Sequence, residues 1–296
     1  MRPAGRRRRM EIAPLTIAGL EFRLREEPGI EREWFTARLR DYLAYEPGGC
    51  FALAEGGETV GMVTALCYQT TAWLGWLYVA AARRGAGLGE RLMRQGMGYC
   101  IARGMRSIVL EAVVEAAPLY RRIGFQRQFR TQHYRLEKTR RGAAPSPSVA
   151  VRRFAADDLV RIADLDRRMF GQDRRRVLDL VRRNPLHRGW LAEKEGKVAG
   201  YLWATKAAAN RQAGPWVIDP GTGDAAETAA ALCDAAFAES DRPLILRCPL
   251  VTESRARLWD DLGAQAIDYH TERMYAGEEY APEGEGVLCL GCPGKG

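Results

Sequence analysis

Leu77-Tyr78-Val79-Ala80-Ala81-Ala82-Arg83-Arg84-Gly85-Ala86-Gly87-Leu88-Gly89 carries an apolar strand through a glycine-rich turn into a helix. The segment 73–79 is aromatic and aliphatic without charge, which suits a buried strand. After the turn, Leu88, Leu92, Met93, Met97, Cys100 and Ile101 recur at helical spacing, with Gly104 placed to cap the end. Glycines at 85, 87 and 89 remove the side chains that would keep a ligand off the backbone. Their N–H groups, with the positive end of the helix dipole, form a cradle for a pyrophosphate.

Two familiar phosphate loops fail to fit. A P-loop would continue with Lys and Ser or Thr, and Glu90-Arg91 stands there. The G-x-G-x-x-G of dinucleotide folds would need a glycine at 90. The pattern R-x-x-G-x-G, with Arg84, Gly87 and Gly89 in the defining places, instead resembles the acyl-CoA motif of the GNAT superfamily of N-acyltransferases. Downstream, Pro118-Leu119-Tyr120-Arg121-Arg122-Ile123-Gly124-Phe125 is similar to the L-Y-x-x-x-G-F helix end of that family.

The surrounding pattern agrees with this resemblance. Helical spacing over 21–45 ends at Pro47-Gly48-Gly49; a hairpin follows from 50–54 and 59–68, then the strand at 73–79. Ser107-Ile108-Val109-Leu110-Glu111-Ala112-Val113-Val114 reads as the next strand, and 125–136 as a closing one. The resemblance implies an α/β fold, a mixed central sheet flanked by helices.

The chain has 296 residues, 47% hydrophobic and 28% charged, enough for two domains. No apolar run approaches the roughly 20 residues needed to cross a bilayer. The basic start lacks the apolar core of a signal peptide, so the expectation is a cytoplasmic protein without a membrane partner. A net charge of +8 suits a ligand bearing several phosphates, and nucleic acid is the less favoured explanation even for Arg6-Arg7-Arg8-Arg9. Seven scattered cysteines suggest core thiols rather than a disulfide framework. Cys289-Leu-Gly-Cys292 has no second C-x-x-C and no histidine nearby, so a tail strand or a loose end is expected there and no metal.

Lys138 to Ser148 contains no large apolar residue and reads as a linker. Beyond it the pattern restarts. An offset of 139 residues superposes Gly57 on Gly196, Gly61 on Gly200, Leu119 on Leu258 and Gly124 on Gly263. One offset for both ends indicates a tandem duplication. The expected division is 10–139 for the first domain, 140–148 for a linker, 149–276 for the second domain and 277–296 for a tail. Gly214-Pro215-Trp216-Val217 and Arg273-Met274-Tyr275 resemble segments of the C-terminal domain of some tandem acetyltransferases. The same offset sets Gly223 under Arg84, Asp224 under Gly85, Ala226 under Gly87, Thr228 under Gly89 and Trp259 under Tyr120. Carboxylates at Asp219 and Asp224 would repel a pyrophosphate, so the second copy is expected to have lost CoA and to shape the acceptor side of the first.

The resemblance implies acetyl-CoA as co-substrate, a primary amine of a small molecule or peptide as acceptor, and direct attack on the thioester. Leu77, Tyr78 and Val79 would pair with the pantetheine arm, and Arg84, Gly85, Ala86, Gly87, Leu88 and Gly89 would hold the pyrophosphate. Tyr120, protonated at neutral pH, stands where the family places its general acid. Glu111 is the first candidate for general base, with Glu115, Tyr68 and His133 as alternatives. The family often has Asn seven residues before the tyrosine, and Val113 stands there. A non-catalytic CoA-sensing module is the alternative function, though a sensor would need the loop and not the acid.

Overall fold

The computed structural model describes residues 9–27, 29, 31–139, 148–206, 211–250, 252–280, 286–292 and 294. The expected linker therefore lies, up to residue 147, outside the described residues, as does Arg6 to Arg8.

The first half runs β1 (Met10–Pro14), α1 (Glu21–Glu26), α2 (Arg32–Tyr45), β2 (Cys50–Glu55), β3 (Glu58–Cys67), β4 (Thr71–Val79), α3 (Leu88–Ala102), β5 (Ser107–Val113), α4 (Ala117–Arg122) and β6 (Gln126–Leu136). The second half repeats the order with β7 (Ala150–Arg153), α5 (Asp158–Phe170), α6 (Arg175–Arg183), β8 (His187–Lys194), β9 (Lys197–Thr205), β10 (Arg211–Ile218), α7 (Ala225–Ala238), β11 (Leu244–Leu250), α8 (Glu253–Leu262) and β12 (Gln265–Gly277), then adds β13 (Val287–Cys289). The offset of 139 read from a few marker residues thus extends over whole elements, β6 starting at 126 and β12 at 265.

Two local expectations change. The helical stretch 21–45 is broken after Glu26, because Pro28 drives the residue before it out of the helical region; Glu27 sits at φ −126°, ψ 79°. Ile101 is 63% exposed rather than on the buried stripe, since it follows Cys100 directly and points 100° away around the helix.

The duplicated halves do not form two separate sheets. The strand order is β1-β2-β3-β4-β5-β12-β6-β11-β10-β9-β8-β7, with β13 beside β10. The last strand of each half has crossed into the other: β12 pairs with β5 from Ser107 to Val113, and β6 pairs with β11 from Leu244 to Leu250. The exchanged strands pair with each other at the centre of the sheet.

Side chains alternate between the two faces of the sheet. On one face α3 and α4 cover Ala72, Leu74, Leu110 and Ala112, while α7 and α8 cover Leu202, Leu244, Leu246 and Cys248. On the other, α1, α2, α5 and α6 share one apolar core that includes Trp73, Val109, Val217, Leu290 and Cys292. The tail beyond residue 276 is therefore no appendage: β13 lies in the second half's sheet, and Cys292 reaches Tyr42 of α2, Sγ to Oη 3.3 Å. All seven cysteines are buried and unbridged.

Two buried ion pairs lie on this shared face. Arg174 contacts Asp166 at 2.5 Å, and Tyr201 donates to the same carboxylate. Arg273 of β12 meets Glu111 of β5 at 2.6 Å, with its guanidinium 4.2 Å from the Trp73 ring centre and 5.0 Å from that of Phe129.

Candidate active site

β4 and β5 are paired in parallel only from Thr71 to Trp73 against Ser107 to Val109. Beyond that point they diverge, because β4 continues along β3 while β5 continues along β12. The divergence opens a cleft of about 550 Å³ whose walls are Leu77 to Val79 on one side and Val113, Glu115, Ala116 and Leu119 on the other. The glycine loop closes its far end.

The loop has the properties that the glycines require. Gly85 and Gly87 have φ of +79° and +73°, and a Cβ at either would meet no atom within 4 Å. Backbone conformation, rather than crowding by the protein, accounts for these two glycines. Among the described residues, none of the six amides from Gly85 to Glu90 donates to another protein group; the first intrahelical bond of α3 is from Arg91 to Gly87. Six unused N–H groups at a helix start make an anion cradle. Ala86 contributes its backbone only, its side chain being exposed. A Cβ at Gly89 would lie 3.5 Å from Leu119 of α4, so the two walls nearly touch there.

Arg84 is close to the cradle and is folded back, with Nε donating to Val79 O at 3.1 Å and the guanidinium 5.3 Å from the Tyr78 ring centre. Arg122 also lines the cleft and shares Glu90 with Arg94, and these hydrogen bonds hold Glu90 below the usual carboxylate range. Tyr78 donates to Glu26 at 2.7 Å, and Arg23 covers its ring at 3.7 Å, which fixes α1 against the end of β4.

One feature of β4 had no signal in the sequence beyond Gly75. Trp76 has φ +55°, a value that a bulky residue rarely adopts, and the register with β3 shifts just there. Its ring packs on Phe35 at 4.7 Å and Tyr42 at 5.6 Å, so α2 holds the bulge in place. The strand is thereby kinked next to Leu77, where the cleft lining begins.

Tyr120 projects from α4 beneath Leu119, buried and packed edge-on to Phe125 at 6.1 Å. Burial pushes its phenol up to about 12, so it stays protonated. Among the described residues its hydroxyl makes no hydrogen bond; the ring sits in the apolar core, and Leu119 rather than Tyr120 is part of the cleft lining.

Glu111 is not placed as a free base. Its carboxylate accepts from Arg273 Nε at 2.6 Å and from Thr271 Oγ1 at 2.8 Å, and its side chain is 2% exposed. Both oxygens are engaged in an inter-strand ion pair away from the cleft lining. Of the alternatives, Glu115 lines the cleft, Tyr68 is buried in the shared core, and His133 lies on β6. Among the described residues no three potential metal ligands group together.

The second half shows what becomes of the same geometry when it is filled. β10 and β11 are in parallel register only at Arg211 and Gln212, and then diverge as β4 and β5 do. Here β13 enters the gap. Trp216 stands opposite Cys289, and Leu290 N donates to Arg247 O at 3.0 Å, so the tail bonds to both diverging strands. At the start of α7, Asp224 accepts from Ala226 N at 2.9 Å and Glu227 N at 3.3 Å, using the amides that are free in α3. The residual cleft is about 240 Å³ and Leu288 lines it.

Comparison with protein families matches residues 18–125 to the acetyltransferase (GNAT) family and 162–288 to a GNAT acetyltransferase domain. A search of curated proteins finds no match. Among solved structures, a putative acetyltransferase from Pyrococcus horikoshii is similar over 97% of this chain and 96% of its own, with TM-score 0.79 and 22% identity. A GCN5-related N-acetyltransferase from Sphaerobacter thermophilus covers 93% of this chain and is itself covered over 97%, with TM-score 0.63 and 17% identity. A tandem GNAT protein from the clavulanic acid biosynthesis pathway covers 92% and is covered over 100%, with TM-score 0.65 and 16% identity. At these identities the structures speak to the fold, and the two family matches speak to its descent. The chain belongs to the GNAT acetyltransferase family and carries two of its domains in tandem.

Proposed function

We propose that the protein is an N-acetyltransferase that moves an acetyl group from acetyl-CoA to a primary amine, with the chemistry confined to the cleft between β4 and β5. The observation that carries this reading is the set of six unused amides at Gly85 to Glu90, beside an open cleft lined by Leu119, whose chain neighbour is the buried, protonated Tyr120. Pyrophosphate oxygens would take the amides, and the pantetheine arm would lie along Leu77 to Val79. Its thioester would come to the Trp76 bulge, where the kinked backbone can polarise the carbonyl.

The amine attacks the carbonyl carbon, forming a C–N bond as the C–S bond breaks. The electron pair leaves with sulfur, and Tyr120 donates the proton that makes it a thiol. The amine's own proton passes to solvent, with Glu115 at the cleft wall as the acceptor side chain. Glu111, tied to Arg273, positions β12 against β5 and does not exchange a proton with the acceptor.

The second domain binds no CoA, because its own β13 and Asp224 occupy the places of the pantetheine arm and the pyrophosphate. Calorimetric titration of the intact chain with acetyl-CoA should give one site per polypeptide. Thiol release with a broad amine panel should then identify acceptors. Two equivalent CoA sites, or one that survives disruption of the Gly85–Gly89 loop, would overturn the assignment.

A further inference from the structure

Five large apolar side chains stand exposed among the described residues, and three of them gather at one place. Ile101 and Val160 lie apart, on α3 and α5. Val113 and Val114, 40% and 43% exposed, stand at the end of β5, and Tyr269, 44% exposed, lies on β12. Val113 is the register partner of Thr271. Tyr269, two residues earlier on β12, therefore leaves the same sheet face as a diagonal neighbour about 7 Å from Val113.

Tyr269 is held in place. Its ring packs edge-on against His133 at 4.8 Å, and its carbonyl accepts from Gln132 Nε2 at 3.3 Å. Burial first, then Arg247 and His270, hold His133 down to about 4, so the ring behind Tyr269 is neutral. Val113, Val114 and the Tyr269 ring thus make a fixed apolar shelf that is left in water unless a ligand covers it.

The shelf is continuous with the cleft, because Val113 and Glu115 both belong to the wall opposite Leu77 to Val79. It also ends on an unpaired anion: Glu115 has no ion-pair or hydrogen-bond partner among the described residues. The Glu115 charge reaches Tyr269, where it joins burial in raising the phenol, against the lowering effect of Arg247. A carboxylate at the cleft wall with an apolar shelf leading away from it is complementary to a cation that carries an apolar group. Three side chains offer far less than the roughly 800 Å² per partner of a stable protein interface, which suits a small molecule.

We propose that the acceptor is an apolar primary amine, aryl or alkyl in its body: its ammonium meets Glu115 at the cleft wall, and the body lies across Val113 and Tyr269. Tyr269 sets specificity and takes no part in the chemistry. This rests on the transferase reading above, in which Glu115 then takes the amine's proton. The test compares 2-phenylethylamine with ethanolamine as acceptors. The apolar amine should be preferred by about 10-fold or more in kcat/KM, the selectivity that a partly covered hydrophobic group confers. Tyr269→Ala should bring that ratio to about threefold or less, and Tyr269→Phe should retain it. Acetyl-CoA affinity by calorimetry should be the same in all three proteins. Glu115→Gln should slow both amines alike and leave the ratio. Equal use of the two amines, or a preference that survives Tyr269→Ala, overturns the proposal. So does a dimer in sedimentation that Tyr269→Ala dissolves, since a second copy of the chain would then cover the shelf.

Failure of the transferase reading would be visible separately, as absent CoA binding or as no turnover of any amine. Saturation-transfer NMR then reads the shelf directly. Transfer to the ring protons of 2-phenylethylamine in the wild type, lost in Tyr269→Ala, still supports it; no transfer, or transfer that survives the substitution, refutes it. Tyr269 is exposed, so both variants should melt close to the wild type.

Discussion

Replacing Gly87 by glutamate tests the cradle at its centre. The structure separates two effects of this change. On the fold, any side chain at φ +73° costs about 1 kcal/mol, and since a Cβ there meets no atom within 4 Å, no further clash is added. Gly87→Ala should therefore lower Tm by roughly 2–4 °C. On the ligand, a glutamate carboxylate about 5 Å from a pyrophosphate charge would repel it by ~3 kcal/mol at an effective dielectric near 20. CoA affinity should fall by ~100-fold or more. Gly98 provides the control: it lies on the same helix, is exposed, and a Cβ there also meets nothing. Gly98→Glu should leave the calorimetric Kd of acetyl-CoA within about twofold, apart from weak long-range repulsion. If Gly87→Glu binds as well as Gly98→Glu, the pyrophosphate is not held by this loop.

Tyr120→Phe should lower kcat about 10²-fold with little change in CoA affinity, and the wild-type pH profile should show no loss from this residue below pH ~10, since its phenol titrates at about 12. Steady-state rates across pH in both proteins check this, and equal kcat would assign the ring to packing. His133 is held down to about 4 by burial first and then by Arg247 and His270. Its folded pKa lies below its unfolded one, so the stability it supports is complete above pH ~6.5 and is lost as pH falls towards 4, by about 3 kcal/mol at most. Urea unfolding of His133→Gln should be flatter over that window than the wild type, and identical slopes would show that another group is responsible. Residues 10–139 expressed alone should not give a stable monomer, because β5 and β6 would lack β12 between them. A monomeric, cooperatively melting fragment would show that the strand exchange is dispensable.

The strand, loop and helix of the first cleft could be read from sequence because their causes are local. Gly85 and Gly87 need positive φ, and the apolar spacing of Leu88, Leu92 and Met93 marks one face of α3. The duplication was equally legible, since a constant offset survives whatever the strands pair with. What could not be read was the pairing itself. The strands β6 and β12 carry similar patterns, and nothing local tells β6 to join β11 rather than β5. The role of Glu111 followed from that gap: the carboxylate was visible, but Arg273 lies 162 residues away and meets it only through the exchanged register. The place of Val287 to Cys289 could not be read, because four apolar residues between Gly286 and Gly291 suit a tail strand or a loose end equally until β10 and β11 are seen to part around them.

The exchange also explains why a copy whose own cleft is filled by β13 has a place in the molecule. In a simple duplication the second domain could decay or be lost without harm to the first. Here β12 supplies the strand between β5 and β6, and its Arg273 neutralises Glu111 and backs Trp73 at the root of the β4–β5 divergence. Removing the second domain would leave Glu111 buried and uncompensated beneath the proposed active site. Filling its own cleft with β13 then serves two ends. It satisfies the backbone of β10 and β11 where they part, and it carries Leu290 and Cys292 under α2, the helix that holds Trp76. Selection on the first site therefore constrains the sequence of the second domain, so the fold can persist there after the glycine loop has gone.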